Sequence, residues 1–225
     1  MMGLLFSARQ RLGSEGMWRP LPAPLVSQLA SLAETFPRPR SGPRSLALVS
    51  PGRGEGTTTC AINLARALAE RGSGVLIVDA NMHHPSLHDL LGVTQRPGLR
   101  DVLHGDMDVN AAIQPASLPH VSVLAVGIQA DAPDRTARTL RDGVLDAVAG
   151  VDFVLVDCPP VNVYEDSAGT AAQCDAVVMV LEAGRTTRQE AQAAKRLLAR
   201  GNCQLLGLFL NRRKFYIPRF IYDRL

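Results

Sequence analysis

A glycine-rich loop that directly follows an apolar strand is the feature that most constrains how this chain of 225 residues folds. The strand segment reads Leu-Ala-Leu-Val at residues 46–49, and the loop reads Ser-Pro-Gly-Arg-Gly-Glu-Gly-Thr-Thr-Thr at residues 50–59. Glycine lets a backbone curl so that successive N–H groups point at one phosphate, and the N-terminus of a following helix adds positive partial charge. The segment therefore predicts a strand, a phosphate-binding loop and a helix in succession.

One position of the loop departs from the pattern that phosphate loops follow. The motif G-x-x-x-x-G-K-[ST] needs a lysine that reaches the β- and γ-phosphates and a hydroxyl group that binds Mg²⁺. Thr58 provides the hydroxyl group, whereas Thr57 occupies the position of the lysine. Lys195 and Lys214 are the only lysines in the chain, so no lysine near the loop replaces it. The sequence predicts a nucleotide-binding loop made of Gly52, Arg53, Gly54, Glu55, Gly56, Thr57, Thr58 and Thr59.

The rest of the chain alternates between two kinds of apolar pattern. Nearly continuous apolar runs, typical of strands buried on both faces, occupy residues 45–50, 74–79, 121–126, 153–157, 176–181 and 205–210. Helical periodicity occupies residues 58–71, 134–149 and 187–200. This alternation predicts an α/β fold, a doubly wound and mostly parallel sheet flanked by helices, with ligands at the carboxyl ends of the strands.

These patterns divide the chain into three segments. Residues 1–44 form an N-terminal arm with a short helix at 25–36, residues 45–211 form the α/β domain, and residues 212–225 form a basic aromatic tail. The tail has five positive charges, and it either lies on an anionic membrane surface, docks on a partner or packs against the domain. The net charge of +3 is too small to indicate nucleic-acid binding. No run approaches the ~18 apolar residues of a membrane span, so we expect a cytoplasmic protein.

Two aspartates end predicted strands at the edge where the phosphate loop opens. Asp79 follows Val-Leu-Ile-Val, and Asp157 follows Phe-Val-Leu-Val. Magnesium prefers hard oxygen ligands and is usually bound by one or two carboxylates together with phosphate oxygens and water. Asp79, Asp157 and Thr58 are therefore the candidate Mg²⁺ ligands. The alternative for each aspartate is that it caps the turn that comes after it.

Taken together, these motifs resemble those of the bacterial tyrosine autokinases of capsular and exopolysaccharide biosynthesis, which belong to the MinD/ParA-type P-loop ATPases. The resemblance covers roughly residues 45–211 and rests on residues 54–59, 63–65, 79–85, 98–105, 157–160, 165–167, 176–184 and 206–211. It implies a P-loop NTPase-like fold, ATP and Mg²⁺ as ligands, and Asp79 and Asp157 as catalytic positions. It also implies that Asn211 contacts the nucleotide base, although Asn211 is equally suited to a turn at the strand end.

Several departures from that family fall on positions that carry its chemistry. Thr57 replaces a lysine, Asn81 replaces an aspartate, and His83 and His84 replace an arginine pair. Losing one preorganised charge-stabilising group costs ~3–4 kcal/mol of transition-state stabilisation. An Asp-to-Asn change keeps the shape but removes the charge and the capacity to accept a proton. The two histidines either bind metal or lie on the surface. The resemblance therefore implies impaired catalysis.

Two further features of the family are reduced here. The tail has only Tyr216 and Tyr222 where the family has a run of phosphorylated tyrosines. The family's Glu-x-x-Arg-x-x-Arg helix is represented only by Ser27, Ala30 and Ala33 at a comparable spacing, which leaves the homo-oligomer expected of the family open. The partner that the resemblance implies is a membrane polysaccharide co-polymerase of the Wzz type, bound at its cytoplasmic end.

The sequence leaves three hypotheses for function. The leading one is a catalytically degenerate relative of the autokinases that serves as a regulatory or structural partner of the co-polymerase at the inner face of the membrane. The second is an active but atypical ATP-dependent tyrosine kinase or ATPase in which Arg53 and a residue supplied by a partner compensate for the missing lysine. The third is a MinD/ParA-like spatial regulator that uses the tail to attach to a membrane or the basic surface to bind DNA.

Overall fold

Residues 42–128 and 138–212, together with Ser31, are described by the computed structural model of the chain. They comprise the predicted α/β domain apart from the segment 129–137. Nearly all of the predicted N-terminal arm, including its helix apart from Ser31, lies outside the described residues. The predicted tail beyond residue 212 lies outside them as well.

A seven-stranded sheet forms the centre of this domain, in the spatial order β3-β4-β2-β5-β1-β6-β7. All neighbouring strands are parallel except β3, which pairs antiparallel with β4 at one edge. The strands are β1 (Arg44–Val49), β2 (Val75–Asp79), β3 (Gln114–Pro115), β4 (Val121–Leu124), β5 (Phe153–Asp157), β6 (Ala176–Glu182) and β7 (Leu205–Asn211). The six predicted strands and the mostly parallel sheet are confirmed, and the short strand β3 is one that the sequence pattern did not predict.

Helices cover both faces of this sheet. They are α1 (Thr57–Ala69), α2 (Leu87–Leu91), α3 (Leu99–Leu103), α4 (Val109–Ala112), α5 (Asp166–Ala171) and α6 (Arg188–Arg200). The predicted capping box at the start of α6 is present, because Thr187 Oγ1 accepts from Glu190 N and Glu190 Oε2 accepts from Thr187 N. Within the described residues, no helix is long and apolar enough to cross a membrane.

Strand β1 shows how the two faces of the core are built. Leu46 and Leu48 point to one face, where they pack with α1 and α2, while Ala47 and Val49 point to the other, where they pack with α3, α5 and α6. All four side chains are buried. A strand that buries both faces must be continuously apolar, which explains why the sequence pattern identified the central strands so closely.

The predicted helix over residues 134–149 is wrong in its described part. A single π-helical turn, Arg141–Leu145, stands there instead, and the chain then turns at residues 146–147. Gly143 lowers helix propensity and lets the turn approach α3, since a Cβ at this position would lie 3.3 Å from Leu103 Cδ2. The backbone N–H of Arg141 donates to Gln173 Oε1 instead of to a helical carbonyl. The turn keeps local backbone hydrogen bonds, such as Asp146 N to Arg141 O, but these do not form a regular α-helical ladder.

Candidate functional site

The predicted phosphate loop lies at the carboxyl end of β1 and leads directly into α1. Gly54 and Gly56 have φ angles of 77° and 93°, which residues with a Cβ rarely adopt. Thr57 is the first residue of α1, so free backbone N–H groups of the helix N-terminus face the loop. The curled backbone and the helix end expected of a phosphate cradle are both present.

Asn211 fixes this loop from the end of strand β7. Its Nδ2 donates to the backbone oxygen of Glu55 at 2.9 Å, and its Oδ1 accepts from Arg212 N. A Cβ at Gly56 would lie only 2.2 Å from Asn211 Nδ2, so glycine is required there for packing as well as for backbone angle. The side chain predicted from the family to contact a base therefore holds the loop backbone in this structure.

Glu55 is a second internal tie of the loop. The residue is 4% exposed, and its Oε1 accepts from the backbone N–H of Gly52 at 3.1 Å. Burial raises the pKa of this carboxyl group, although hydrogen bonds from Thr186 and Gly52 work against the rise. Glu55 stabilises the loop from within, and its acidic group does not point at solvent.

Thr58 and Asp157 are in direct contact. Thr58 Oγ1 donates to Asp157 Oδ2 at 2.6 Å, which joins the start of α1 to the end of β5. Thr57, one residue earlier, is buried and uncharged, with 8% of its surface exposed. Thr59 lies within α1, where its backbone oxygen accepts from Asn63 Nδ2. Of the three threonines, Thr58 is therefore the one placed beside a carboxylate.

Asp79 and Asp157 form a buried acidic pair at the carboxyl edge of the sheet. The two residues are register partners on the adjacent parallel strands β2 and β5. Burial and the neighbouring Asp79 carboxylate raise the pKa of Asp157 to about 8, and burial raises the pKa of Asp79 to about 6. Two carboxylates this close favour a bound cation or a shared proton.

The two aspartates differ in how their oxygens are used. Asp79 Oδ1 accepts from Asn81 N, and Asp79 Oδ2 accepts from Ser86 N and Leu87 N, so this carboxylate caps the short helix α2. Asp157 Oδ1 is buried and receives no hydrogen bond from the described residues. A carboxylate oxygen with that spare capacity, next to the Thr58 hydroxyl, fits a hard divalent cation such as Mg²⁺. Thr58 and Asp157 would hold the ion, and Asp79 would add negative charge behind them.

No group of three or more His, Cys, Asp and Glu side chains within the described ranges is arranged to hold a metal ion. This result does not conflict with a Mg²⁺ site, because that ion commonly takes only one or two carboxylates and completes its shell with phosphate oxygens and water. His83 and His84 are not brought together on such a site. His83 stacks on Tyr164, and the backbone N–H of His84 donates to Asn81 Oδ1.

A stack of side chains joins three loops at the mouth of the site. The guanidinium of Arg53 lies 5.3 Å from the ring centroid of Tyr164, and its Nη2 donates to the Tyr164 hydroxyl. His83 stacks on the same ring, and its Nε2 lies 3.5 Å from a carboxylate oxygen of Asp166. We call Arg53, Tyr164, His83 and Asp166 the aromatic clasp. It joins the loops that come after β1, β2 and β5.

Sequence reasoning missed several residues that surround the loop. Tyr164 and Arg185 lie outside the motifs of the resemblance, and Glu182 lies in the matched segment 176–184 without a role assigned to it. All three reach the site because β5 and β6 flank β1 in the sheet. A Cβ at Gly54 would lie 3.4 Å from Arg185 Nη1. The predicted loop residues, the two aspartates and Asn211 do meet at one edge of the sheet, as their positions at strand ends required.

Comparison with known proteins agrees with this geometry. A ParA-type family model, described as NUBPL iron-transfer P-loop NTPase, matches residues 43–220. Tyrosine-protein kinase YwqD of Bacillus subtilis is 30% identical over 173 residues, which are 76% of this chain and 73% of that protein. Putative tyrosine-protein kinase EpsB of Ralstonia nicotianae is 32% identical over 192 residues, but these residues span only 26% of EpsB and 84% of this chain.

A solved structure gives the same picture of the fold. The kinase domain of Escherichia coli tyrosine kinase ETK superposes with a TM-score of 0.66 at 21% sequence identity. The superposition covers 80% of this chain and 73% of that domain. At this identity the likeness concerns the fold, which is the same mostly parallel α/β architecture.

Proposed function

Because the chain belongs to the ParA-type P-loop NTPases and, among them, to the bacterial tyrosine-protein kinases, we propose that it binds ATP or ADP without transferring phosphate efficiently. In this role it is a regulatory or structural partner in exopolysaccharide or capsule synthesis. The single observation that carries the proposal is Thr57, an uncharged and buried residue at the start of α1 where phosphate loops place a lysine. The cradle around it is intact.

The backbone angles of the loop and three hydrogen bonds support nucleotide binding. The positive φ angles of Gly54 and Gly56 curl the loop, Asn211 and Glu55 hold it in that shape, and Thr58 contacts Asp157. Such a preformed loop does not have to be ordered when the ligand binds, which lowers the cost of binding. These features support a loop that binds phosphate and a Mg²⁺ ion held by Thr58 and Asp157, without the lysine at position 57.

Two substitutions support impaired catalysis. Thr57 offers no charge to the phosphates that react, and removal of one such charge costs ~3–4 kcal/mol of transition-state stabilisation. Asn81 uses its Oδ1 to accept from His84 N, so it acts as a turn residue and cannot take a proton. Together these losses correspond to a rate reduction of several orders of magnitude.

The test combines nucleotide binding with a phosphotyrosine assay. We expect the purified chain to bind a fluorescent ATP analogue while its phosphotyrosine signal stays at background. The double variant Thr57→Lys, Asn81→Asp should raise that signal, and Asp79→Ala in the double variant should remove it. Strong autophosphorylation of the wild-type chain, abolished by Asp79→Ala, would overturn the impaired-catalysis proposal. Failure to bind any nucleotide would overturn the binding proposal.

The partner we propose is the cytoplasmic end of a Wzz-type membrane polysaccharide co-polymerase, which places this chain at the inner face of the membrane. Support comes from the kinase relatives and from the family resemblance of the motifs. Co-expression with a Wzz-type co-polymerase from the same organism, followed by affinity purification, tests the proposal. We expect the two proteins to purify together, and a variant lacking residues 213–225 to report whether the tail contributes. Separate elution at physiological salt would contradict it.

A second candidate function is an active, atypical tyrosine kinase or ATPase. It is favoured by the kinase relatives and by the position of Arg53 within the phosphate loop itself. In that case Arg53→Ala should abolish ATP turnover measured with the co-polymerase present, whereas Arg188→Ala, at an exposed arginine on α6, should not change it. Unchanged turnover in Arg53→Ala would exclude this function for Arg53.

The ParA-type family match leaves a third candidate, a spatial regulator that attaches to membrane through residues 212–225. Co-sedimentation with anionic liposomes and with DNA, for the full chain and for the chain without the tail, tests this candidate. Binding to liposomes that requires both the tail and ATP would support it. Sedimentation that does not depend on ATP would contradict it.

A further inference from the structure

A phosphate loop without its lysine still has to offset the negative charge of the phosphates that it binds. The N–H groups of the loop and the helix end supply only partial charges. Arg53 is the positively charged residue of the loop, but its guanidinium already donates to the Tyr164 hydroxyl and lies over the Tyr164 ring. Binding phosphate through Arg53 would require these contacts to be broken.

Arg185 is a second cation that contacts the loop, and it comes from a different part of the chain. It lies in the turn between β6 and α6, and β6 pairs directly with β1. Its Nη1 occupies the space beside Gly54, where a Cβ would lie 3.4 Å away. The guanidinium therefore lies beside the loop at Gly54, within van der Waals reach of that residue. The side chain of Arg185 is 59% exposed, so a ligand can reach it.

Glu182 orients this guanidinium. Its Oε2 accepts from Arg185 Nη1 and from Arg212 Nη1, both at 3.0 Å. Because one carboxylate is shared by two guanidinium groups, Glu182 alone does not neutralise both arginines. The turn is also fixed, because Glu182 N donates to Thr186 Oγ1 at 2.8 Å. Arg185 is thus held at the loop while keeping donors for a further anion, since a guanidinium has five N–H groups.

We propose that Arg185 supplies the positive charge that the phosphate loop lacks at Thr57, and that it binds the phosphate groups of a nucleoside di- or triphosphate. This inference rests on the proposed nucleotide binding and names a residue for it. Arginine suits the task because its planar guanidinium binds phosphate with two parallel hydrogen bonds. Glu182 acts as the positioning residue.

The test measures the affinity of the purified chain for ADP, ATP and adenosine by isothermal titration calorimetry with Mg²⁺ present. Arg185→Gln should weaken ADP and ATP binding about tenfold or more, as expected for a lost hydrogen bond to a charged group. Arg185→Lys should recover part of that affinity because it keeps the charge. Adenosine, which has no phosphate, should bind equally to both variants and to the wild type.

Thr57→Lys provides a rescue that a merely structural role for Arg185 would not produce. If Arg185 replaces the loop lysine, Thr57→Lys should restore the ADP affinity of Arg185→Gln to within about threefold of the wild type, a non-additive coupling between the two sites. The matched control is Arg188→Gln, which removes another exposed arginine three residues away and should leave all affinities unchanged.

The outcomes separate the two proposals. Wild-type binding of ADP with an unchanged Arg185→Gln affinity would overturn the role of Arg185 and leave nucleotide binding intact. An equal loss in Arg185→Gln and in Arg188→Gln would also overturn it, since the effect would then depend on net charge alone. No detectable ADP or ATP binding by the wild type would overturn both proposals. Circular dichroism should confirm that each variant is folded.

Discussion

The phenol ring of Tyr164 lies parallel to the imidazole ring of His83, with 3.6 Å between the ring centroids and 7° between the ring planes. On the same tyrosine, Arg53 contacts both the ring and the hydroxyl group. Tyr164 thereby joins the loops that come after three different strands. The aromatic clasp thus contributes to holding the mouth of the site together.

Replacing Tyr164 should show how much the clasp contributes to stability. We expect Tyr164→Leu to lower the free energy of unfolding by about 0.5–1.5 kcal/mol, because the stacked aromatic contact is lost. Tyr164→Phe keeps the ring and loses only the hydroxyl group, so its loss should be smaller. Urea unfolding followed by circular dichroism measures both. Equal stability of Tyr164→Leu and the wild type would mean that the stack does not stabilise the fold.

Asn211 should be a structural residue of the loop as well as a candidate ligand contact. Asn211→Ala leaves the backbone oxygen of Glu55 without this donor, which we expect to cost about 1–3 kcal/mol in urea unfolding. The matched control is Asn162→Ala, which removes an exposed hydrogen bond to the backbone oxygen of Glu190. That control should change stability by less than about 0.5 kcal/mol. Similar losses in the two variants would contradict the structural role.

The acidic pair makes the stability of the protein depend on pH. The pKa of Asp157 in the folded protein is raised to about 8, above the value near 3.8 of the free side chain. Its contribution to stability is therefore complete below pH 3.8 and is lost as pH rises through about 8. Asp157→Asn removes the buried charge, so we expect the stability of the variant relative to the wild type to increase between pH 5 and pH 8. A change of ~1.4 kcal/mol in this relative stability would correspond to a tenfold difference in the proton affinity of Asp157 between the folded and unfolded states.

This prediction is measured by urea unfolding at several pH values, with EDTA and without nucleotide. Asp106→Asn, at an exposed carboxylate, controls for the general effect of removing one negative charge. With Mg²⁺ and ADP we expect the wild type to be more stable than Asp157→Asn, because a cation can then offset the charge of Asp157. A stability difference that stays constant from pH 5 to pH 8 would show that burial does not raise the pKa of the Asp157 carboxyl group.

Gly98 should be intolerant of any side chain for reasons of space. A Cβ at Gly98 would lie 2.2 Å from Gly127 N and 2.4 Å from Ala125 O, which are backbone atoms that cannot turn aside. We expect Gly98→Ala to lower the free energy of unfolding by about 1–3 kcal/mol. Gly169, inside α5, faces open space, so Gly169→Ala should stabilise the protein by about 0.5–1 kcal/mol. Thermal unfolding of the two variants should shift in opposite directions.

The central strands and α6 could be predicted because their signals are local. The predicted strand at residues 153–157 has the same first and last residues as β5, because a strand buried on both faces is a continuous apolar run in the sequence. Helix α6 was placed by its capping box and the glycine after it. The prediction of a helix at residues 134–149 is wrong because the structure of that segment is not set by local signals alone. Its apolar spacing is helical, but the chain forms a π turn there, which Gln173 and Leu103 contact from distant parts of the sequence.

The candidate site divides in the same way. The loop, Asp79 and Asp157 could be found because parallel strands bring their carboxyl ends to one edge, so residues at strand ends meet. The sequence could not show which hydrogen bonds the carboxylate oxygens of these two aspartates accept. Asp79 caps α2 by accepting from backbone N–H groups seven and eight residues further along the chain, whereas Asp157 Oδ1 has no donor among the described residues.

By itself, the sequence determined the doubly wound α/β fold, the phosphate loop and the absence of its lysine, because these depend on periodicity and on residue types at fixed spacing. Only the tertiary structure decided which side chains surround that loop. Tyr164, Glu182 and Arg185 are more than 100 residues away from it in the chain. They reach it because β5 and β6 flank β1 in the sheet, and contacts set by strand order leave no local pattern in a sequence.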